Sequence, residues 1–187
     1  GVRGMKLAAE DEVMSVSILL GLGDAAVTRE ERDQYLKSAP WKSEPAPVTL
    51  DAARMQELER LEQFILTVTE NGFGKRTSSF EYSTIGRGGQ GVVNIDTSAR
   101  NGWVVNSGPV DESNQILLVT NKGKLIRTSV DEIRIAGRST QGVTLFRVDE
   151  GEKVVSVATI EDADDNEEMD SVEEQGEAGP DADSQSE

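Results

Sequence analysis

The sequence reads ILTVTENGFGKRTSSFEYSTIGRGGQGV over residues 65–92 and ILLVTNKGKLIRTSVDEIRIAGRSTQGV over residues 116–143, which is 51 positions later. The two segments share fourteen identical residues in twenty-eight ungapped positions. Self-similarity at a period of about fifty residues indicates a repeat architecture. The repeat therefore decides the fold class before any single motif is considered.

The repeat divides the chain into units of unequal length. A Gly-Val pair opens a unit at Gly1, Gly91 and Gly142. This gives an enlarged unit over 1–90, a standard unit over 91–141 and a half unit over 142–160. A strand pattern further along the unit recurs as VMSV at 13–16 and as VVSV at 154–157. In the middle unit the corresponding place is occupied by WVV at 103–105, so that Trp103 aligns with Val154. We expect these units to form one partial domain over residues 1–160.

Local signals within a unit favour β-strands. Residues 92–95 (VVNI) and 116–120 (ILLVT) are short β-branched runs bounded by Asn, Gly and Asp. The sequences NG at 101–102 and NKG at 121–123 are typical of tight turns, in which glycine supplies a positive φ. About four short strands in roughly fifty residues are typical of a propeller blade. The prediction is an all-β, propeller-like fold with about four strands in each blade.

An insertion enlarges the first unit, at about residues 19–63. It contains the capping-box pattern TREE at 28–31 and places Met55, Leu58 and Leu61 on one helical face, so we predict helices there. Long loop insertions cost little closure entropy. We therefore interpret the insertion as a surface elaboration of a blade loop.

Charge is segregated along the chain. Residues 161–187 contain thirteen acidic residues and no basic one, which leaves residues 1–160 with a net charge of −3 out of the total of −16. Residues 71–160 hold eleven Lys or Arg against nine Asp or Glu. We predict that 161–187 is a disordered acidic tail, and that it competes as a polyanion for the basic surface of the body.

Composition excludes several kinds of site. The sequence contains no cysteine and no histidine, which excludes disulfides, thiolate metal sites and histidine bases. No apolar run approaches about eighteen residues, so we predict no membrane span, and a reducing, cytoplasmic setting is favoured. The first residue is glycine and no leader pattern follows. We therefore expect the chain to begin inside a longer polypeptide.

The sequence GRGGQG at 86–91 satisfies the G-x-G-x-x-G pattern without the context of a nucleotide site. A dinucleotide site needs a helix directly after the motif, whereas 92–95 has the pattern of a strand. A kinase loop needs a partner motif that contains histidine. Because GRSTQG recurs at 137–142, the motif belongs to the repeat. We predict no catalytic residue, no metal site and no cofactor, and we interpret Tyr35 and Tyr82 as packing residues.

Basic residues recur at equivalent places in the repeats. In a radial array, equivalent positions fall on one rim, so recurring cations would form an arc that suits the phosphate backbone of DNA without base readout. Alternatively, individual arginines cap turns or pair with Glu81 and Glu132. The predicted DNA-binding residues are Lys75, Arg76, Arg87, Lys122, Lys124, Arg127 and Arg138.

Three patterns together resemble the later blades of the C-terminal domain of the gyrase A subunit. They are NGFGKRT at 71–77, RNG at 100–102 and GRSTQGV at 137–143, and the resemblance covers residues 1–16 and about 65–162. It implies a six-bladed β-pinwheel in which neighbouring blades exchange a strand. It also implies a positive perimeter that bends duplex DNA around itself and so supports ATP-dependent negative supercoiling.

The same resemblance implies that ATP, Mg²⁺ and the DNA-cleaving tyrosine belong to other parts of a type II topoisomerase. The implied partners are duplex DNA and, in a heterotetramer at the bacterial nucleoid, the B subunit and the rest of the A subunit. Residues 85–91 match five of the seven positions of the family's Q-R-R-G-G-x-G box. The matching loop, which lacks the first Gln and first Arg, contains Arg87, Gly88, Gly89 and Gly91.

Two alternatives remain open from the sequence. The first is the C-terminal domain of the A subunit of topoisomerase IV, the decatenating relative of gyrase. The second is a propeller-type protein-interaction module in which the rim arginines bind acidic protein partners.

Overall fold

The computed structural model describes residues 1–21 and 27–161. The predicted disorder of the acidic tail falls almost entirely outside these residues and stays a prediction. The elements in chain order are α1 Arg29–Ser38, α2 Ala52–Leu61, β1 Phe64–Thr69, β2 Phe73–Ser78, a 3-10 turn Ser79–Glu81, β3 Val104–Val110, β4 Gln115–Thr120, β5 Leu125–Ser129, β6 Val143–Thr144 and β7 Val154–Ile160.

The strands form two antiparallel sheets that confirm the all-β prediction. One sheet has the order β3-β1-β2-β6 and the other has the order β5-β4-β7. The half unit 142–160 supplies a strand to each sheet, because β6 pairs with β2 and β7 pairs with β4. The sheets therefore exchange strands across the sequence repeats, as the resemblance implies.

The registers of the two sheets correct the sequence alignment of the third strand. Thr69 pairs with Val104 and Thr120 pairs with Val154, in each case directly after a register shift. Val104 therefore corresponds to Val154, whereas a constant offset of 51 residues aligned it with Val155. The loop after Gly142 is one residue shorter than the loop after Gly91, which moves the following strand by one position.

The predicted strand at residues 92–95 is absent from the structure. Its repeat equivalent, β6, is a strand because Val143 pairs with Gly74 of β2. A β-carbon on Gly142, whose φ is +72°, would lie 2.5 Å from the carbonyl oxygen of Gly74, so only glycine permits this approach. No strand of the described chain forms ladder pairs with 92–95, and without a ladder partner this segment does not form a strand.

The main core lies between the two sheets. Leu66 and Val68 of β1 pack with Ile116 and Leu118 of β4, and all four are at most 3% exposed. Val154 at the start of β7 completes this layer. Burying short runs of branched aliphatic residues in this way stabilises the pairing of the two blades.

The insertion is helical, as predicted. Thr28 caps α1 through a capping box with Glu31, and the Glu31 carboxylate also accepts a 2.8 Å hydrogen bond from Arg54 of α2. Tyr35 of α1 packs edge-on against Phe80, with ring centroids 5.5 Å apart. With buried Leu58 these residues form a second core, which fixes the insertion on the end of the first blade.

Neither α1 nor α2, the two α-helices in residues 1–21 and 27–161, has the length and apolar character of a membrane-spanning helix.

Candidate nucleic-acid interface

Arg87, Lys122 and Arg127, three of the predicted DNA-binding residues, are exposed. Arg127 lies on β5, an outer strand of its sheet, and its Nε donates a hydrogen bond to Gln115 Oε1 on β4. Lys122 lies in the turn between these strands, and its Nζ donates to the carbonyl oxygen of Glu150 at 2.7 Å. The acceptors are a side-chain amide oxygen and a backbone carbonyl oxygen.

The box-like loop at 86–91 is held by the start of the chain. The Gly88 N–H donates to the Gly4 carbonyl and the Lys6 N–H donates to the Gly89 carbonyl, each at 2.8 Å. Gly88 has a φ of +78°, which a residue with a β-carbon rarely adopts. The loop is therefore a turn with a defined shape that displays Arg87 to solvent.

Lys75 and Arg76 are not on the surface, and the prediction that they belong to an exposed rim is wrong. Lys75 is fully buried and Arg76 is 5% exposed. The reason is that the chain after β5 runs beside β2: the Arg76 N–H donates to the Arg134 carbonyl, and the Ala136 N–H donates to the Arg76 carbonyl. This extra chain covers both basic side chains.

Arg76 connects the first blade to the loop after β5. Its Nε donates to the Ile133 carbonyl at 2.6 Å and its Nη2 donates to the Asp131 carbonyl at 3.0 Å. Its Nη1 forms a 2.7 Å ion pair with Glu112, and the guanidinium lies 5.7 Å from the ring centre of Phe64. These contacts assign Arg76 a structural role.

Lys75 binds the turn that contains Arg138. Its Nζ donates to the carbonyls of Gly137 and Arg138 at 2.5 and 2.6 Å. Burial lowers the pKa of the Lys75 ammonium to about 8, an effect that the Glu81 carboxylate opposes and the Arg138 charge reinforces. Lys75 and Arg138 therefore belong to one polar cluster, which joins the unit 1–90 to the end of the unit 91–141.

This burial predicts an unusual dependence of stability on pH. A lysine whose pKa is lowered by folding is a destabilising charge below that pKa, and the penalty is relieved as pH rises. The free energy of unfolding is therefore expected to increase by about 1 to 2 kcal/mol between pH ~7 and ~9.5. Denaturant titrations at several pH values measure this increase.

Lys75→Met is the matched control, because it keeps the length of the side chain and removes the titrating group. Its free energy of unfolding should not rise over the same interval, and an identical rise in both proteins would contradict the assignment to Lys75. Above pH ~10 the free energy of unfolding is expected to fall in both proteins, because burial raises the pKa of Tyr82 to about 12 and that of Tyr35 still further.

Lys124 is exposed, but its charge is compensated. Its Nζ lies 2.6 Å from Asp149 Oδ2 and 2.9 Å from Glu152 Oε2. Hydrogen bonds from the Asp149 backbone and from Lys124 lower the pKa of Glu152 to about 2, so this carboxylate is ionised at neutral pH. We therefore expect Lys124 to contribute little attraction for a polyanion.

Arg138 is half-buried. It only partly matches the alternative prediction that the arginines cap turns or pair with Glu81 and Glu132. Its backbone N–H donates to Glu81 Oε2 at 2.7 Å, so Glu81 caps the turn but does not pair with the guanidinium. The guanidinium Nη1 donates to the Val93 carbonyl at 2.5 Å. The turn that carries Arg138 also faces helix α1 of the insertion across a groove.

Sequence reasoning missed several exposed or partly exposed cations. Arg100 donates to Gln141 Oε1 at 3.0 Å and stacks 4.1 Å from the ring centre of Phe73. Arg134 and Arg147 are exposed but do not recur in the repeat, so the pattern did not single them out. Four further cations belong to the insertion and line the same groove as Arg138. They are Arg29, Arg32, Lys37 and Lys42.

Tyr35 has the packing role that was predicted for it. Tyr35 is fully buried against Phe80 and donates a 2.7 Å hydrogen bond to Glu62. Tyr82 donates a hydrogen bond to Asn94. Over 1–21 and 27–161, no group of three or more acidic side chains is placed to hold a metal ion.

A family model and curated relatives agree on one family. The family model described as DNA gyrase C-terminal domain, beta-propeller, matches residues 1–19, 63–111 and 114–161. The DNA gyrase A subunit of Rickettsia bellii is 48% identical over 94% of this chain and 20% of its own length, and that of Rickettsia conorii is 46% identical over the same shares. A solved structure of a DNA gyrase A C-terminal domain is 30% identical, with a TM-score of 0.49, over 52% of this chain and 33% of that one. The chain spans about a fifth of the length of the curated relatives it matches.

Proposed function

Because the chain belongs to the family of DNA gyrase C-terminal beta-propeller domains, we propose that it binds duplex DNA through the phosphate backbone and bends the duplex along its rim. The proposed contacts are non-specific in sequence, because the exposed residues are long basic side chains on turns and an outer strand. Such side chains neutralise phosphates and do not need to enter a groove to read base edges.

The exposure of Arg87, Lys122 and Arg127 carries this proposal. The three residues lie in a unit-closing loop, a hairpin turn and an outer strand. These are places at which a flexible cation can reach a phosphate without disturbing the core. A regular phosphate lattice rewards several such cations at once, because each contact releases condensed counterions.

We further propose that the chain acts within the A subunit of a DNA gyrase in a bacterial cytoplasm. In this role the chain presents bound DNA for strand passage and contributes no catalytic residue of its own. ATP, Mg²⁺ and the cleavage chemistry then belong to other parts of the enzyme, which include the B subunit. The support for this proposal is the identity to the A subunits of DNA gyrases over most of the chain.

A salt titration tests DNA binding directly. The affinity of the intact protein for linear duplexes of unrelated sequence is measured at several salt concentrations. We expect similar affinities for all sequences, and a plot of log affinity against log salt that falls with a slope of about −0.9 for each phosphate contacted. A protein-interaction module, by contrast, would not bind duplex DNA.

The same titration without residues 161–187 tests the acidic tail. If the tail competes with DNA for the basic surface, its deletion removes thirteen negative charges and raises the affinity, most strongly at low salt, where screening is weakest. Unchanged or lower affinity after the deletion would rule out this competition while leaving the proposed DNA binding intact.

A further inference from the structure

A cationic groove lies between helix α1 of the insertion and the end of the first repeat. Its volume is about 360 Å³. Five cations and two carboxylates line it, which gives the lining a net charge of +3. The cations are Arg29, Arg32, Lys37 and Lys42 from the insertion and Arg138 from the repeat, and the carboxylates are Asp33 and Glu81.

Helix α1 lines this groove with three of its cations. They are Arg29, Arg32 and Lys37, whereas Tyr35 of the same helix packs into the second core. The orientation of the helix is fixed on both sides. The Glu31–Arg54 ion pair ties α1 to α2 at 2.8 Å, and the Tyr35–Phe80 contact ties it to the blade.

Two guanidinium groups in the groove have N–H donors that make no hydrogen bond within the described residues. The Arg32 side chain makes no hydrogen bond or ion pair within the described ranges, and the Nε atoms of Arg32 and Arg138 are both buried without an acceptor there. A buried donor without an acceptor is unfavourable, so the groove favours a ligand rich in acceptor oxygens. Small rotations of the two side chains would direct these donors towards such a ligand.

The carboxylates of the groove do not satisfy these cations. Glu81 is occupied by the Arg138 backbone N–H at 2.7 Å. Asp33 lies 3.9 Å from Arg29 in a pair whose side chains are 59% and 85% exposed, respectively, and such a pair interacts weakly. The lining therefore keeps most of its positive charge, and a phosphate accepts from arginine through two parallel hydrogen bonds.

We propose that this groove binds backbone phosphates of duplex DNA, so that the insertion extends the DNA-binding surface beyond the repeats. The inference rests on the proposed function, because Arg138 belongs both to the groove and to the repeat-related cations. A stretch of backbone with successive phosphates fits a groove lined by several cations from α1, from Lys42 and from Arg138. A single phosphate ion engages only a few of them at once.

The test compares duplex binding by the intact protein with that of the variant Arg29→Ala/Arg32→Ala/Lys37→Ala, at several salt concentrations. We expect the triple variant to bind at least about tenfold more weakly, with a salt slope shallower by about 2 to 3. The variant Arg29→Lys/Arg32→Lys/Lys37→Arg should retain the slope of the wild type. Arg60→Ala, which removes an exposed cation of the same insertion outside the groove, should alter the slope by less than about 0.5.

A second variant protects the test against a folding defect. Arg29→Ala/Lys37→Ala changes only exposed side chains, and it should show an intermediate loss with an unchanged thermal melting curve. Inorganic phosphate is tested in parallel by its effect on the melting temperature of the wild type and the triple variant.

The outcomes separate the inference from the function on which it rests. If the wild type does not bind duplex DNA with a steep salt dependence, the proposed function fails. If the wild type binds DNA but the triple variant has the same affinity and slope, or if Arg60→Ala loses as much, the groove is not a DNA site. Phosphate-dependent stabilisation that the triple variant loses without any loss of duplex affinity would assign the groove to small anions and overturn the proposal.

Discussion

Arg76→Ala is expected to lower the free energy of unfolding of the 187-residue chain by about 3 kcal/mol. The substitution removes a side chain that is 6% exposed and donates to the Ile133 and Asp131 carbonyls. Hydrogen bonds from a charged donor contribute more than neutral ones, and the carbonyls would lose them inside the protein. The contact with the Phe64 ring is lost as well. Denaturant titration followed by circular dichroism measures the change.

Arg127→Ala is the matched control for this prediction, because it removes the equivalent arginine of the next repeat. Arg127 is exposed on β5, so its removal should change the free energy of unfolding by less than about 0.5 kcal/mol. Equal destabilisation by the two substitutions would contradict the distinction between a buried connector and an exposed rim residue. Glu112→Ala should lower the free energy of unfolding less than Arg76→Ala does, since the Glu112 side chain is 63% exposed and Arg76 keeps its hydrogen bonds to the Ile133 and Asp131 carbonyls.

The comparison of Arg76 with Arg127 shows why the repeat predicts the fold better than it predicts the site. The recurring glycines and β-branched runs encode turns and strands locally, so the all-β blades follow from the pattern alone. The exposure of a side chain on a strand, however, depends on which other segment of the chain packs beside that strand. Ile135 forms a bridge to Arg76, and no such segment lies beside β5 within 1–21 and 27–161.

The segment 92–95 illustrates the same dependence on neighbours. Its residues have the composition of a strand, and its repeat equivalent Val143–Thr144 is one. Backbone groups in a strand require a partner, and the partner is supplied by a different part of the chain. A local pattern carries no information about whether that partner is present.

The insertion shows the reverse case. Its helices could be predicted, because the capping box at Thr28 and the spacing of Met55, Leu58 and Leu61 are local signals. Its cations could not be connected with the DNA-binding surface, because the groove brings α1 beside Arg138, about a hundred positions later in the chain. The packing of Tyr35 on Phe80, within the second core, brings α1 to the end of the unit 1–90.

Removal of the three exposed cations Arg87, Lys122 and Arg127, which are the proposed rim contacts, is expected to have the largest effect on DNA binding. The variant Arg87→Ala/Lys122→Ala/Arg127→Ala should bind duplex DNA about 100-fold more weakly at ~0.1 M salt, because each lost phosphate contact forfeits the release of about one counterion. The loss should be similar for unrelated sequences, since backbone contacts carry no base information. Stability should be nearly unaffected, as the three side chains lie outside the cores.

The matched control for the rim variant keeps the charges and changes the side chains. Arg87→Lys/Lys122→Arg/Arg127→Lys should bind with nearly the affinity of the wild type, because a phosphate accepts from either cation. A loss as large as that of the alanine variant would indicate that shape, rather than charge, governs the interaction.

The salt slope of duplex binding by the intact protein, measured for the wild type and the Arg87→Ala/Lys122→Ala/Arg127→Ala variant side by side, tests DNA binding through rim cations most directly. We expect the slope of the variant to be shallower by about 3, or roughly one for each cation removed. Identical slopes and affinities for the two proteins would show that the DNA does not contact this rim.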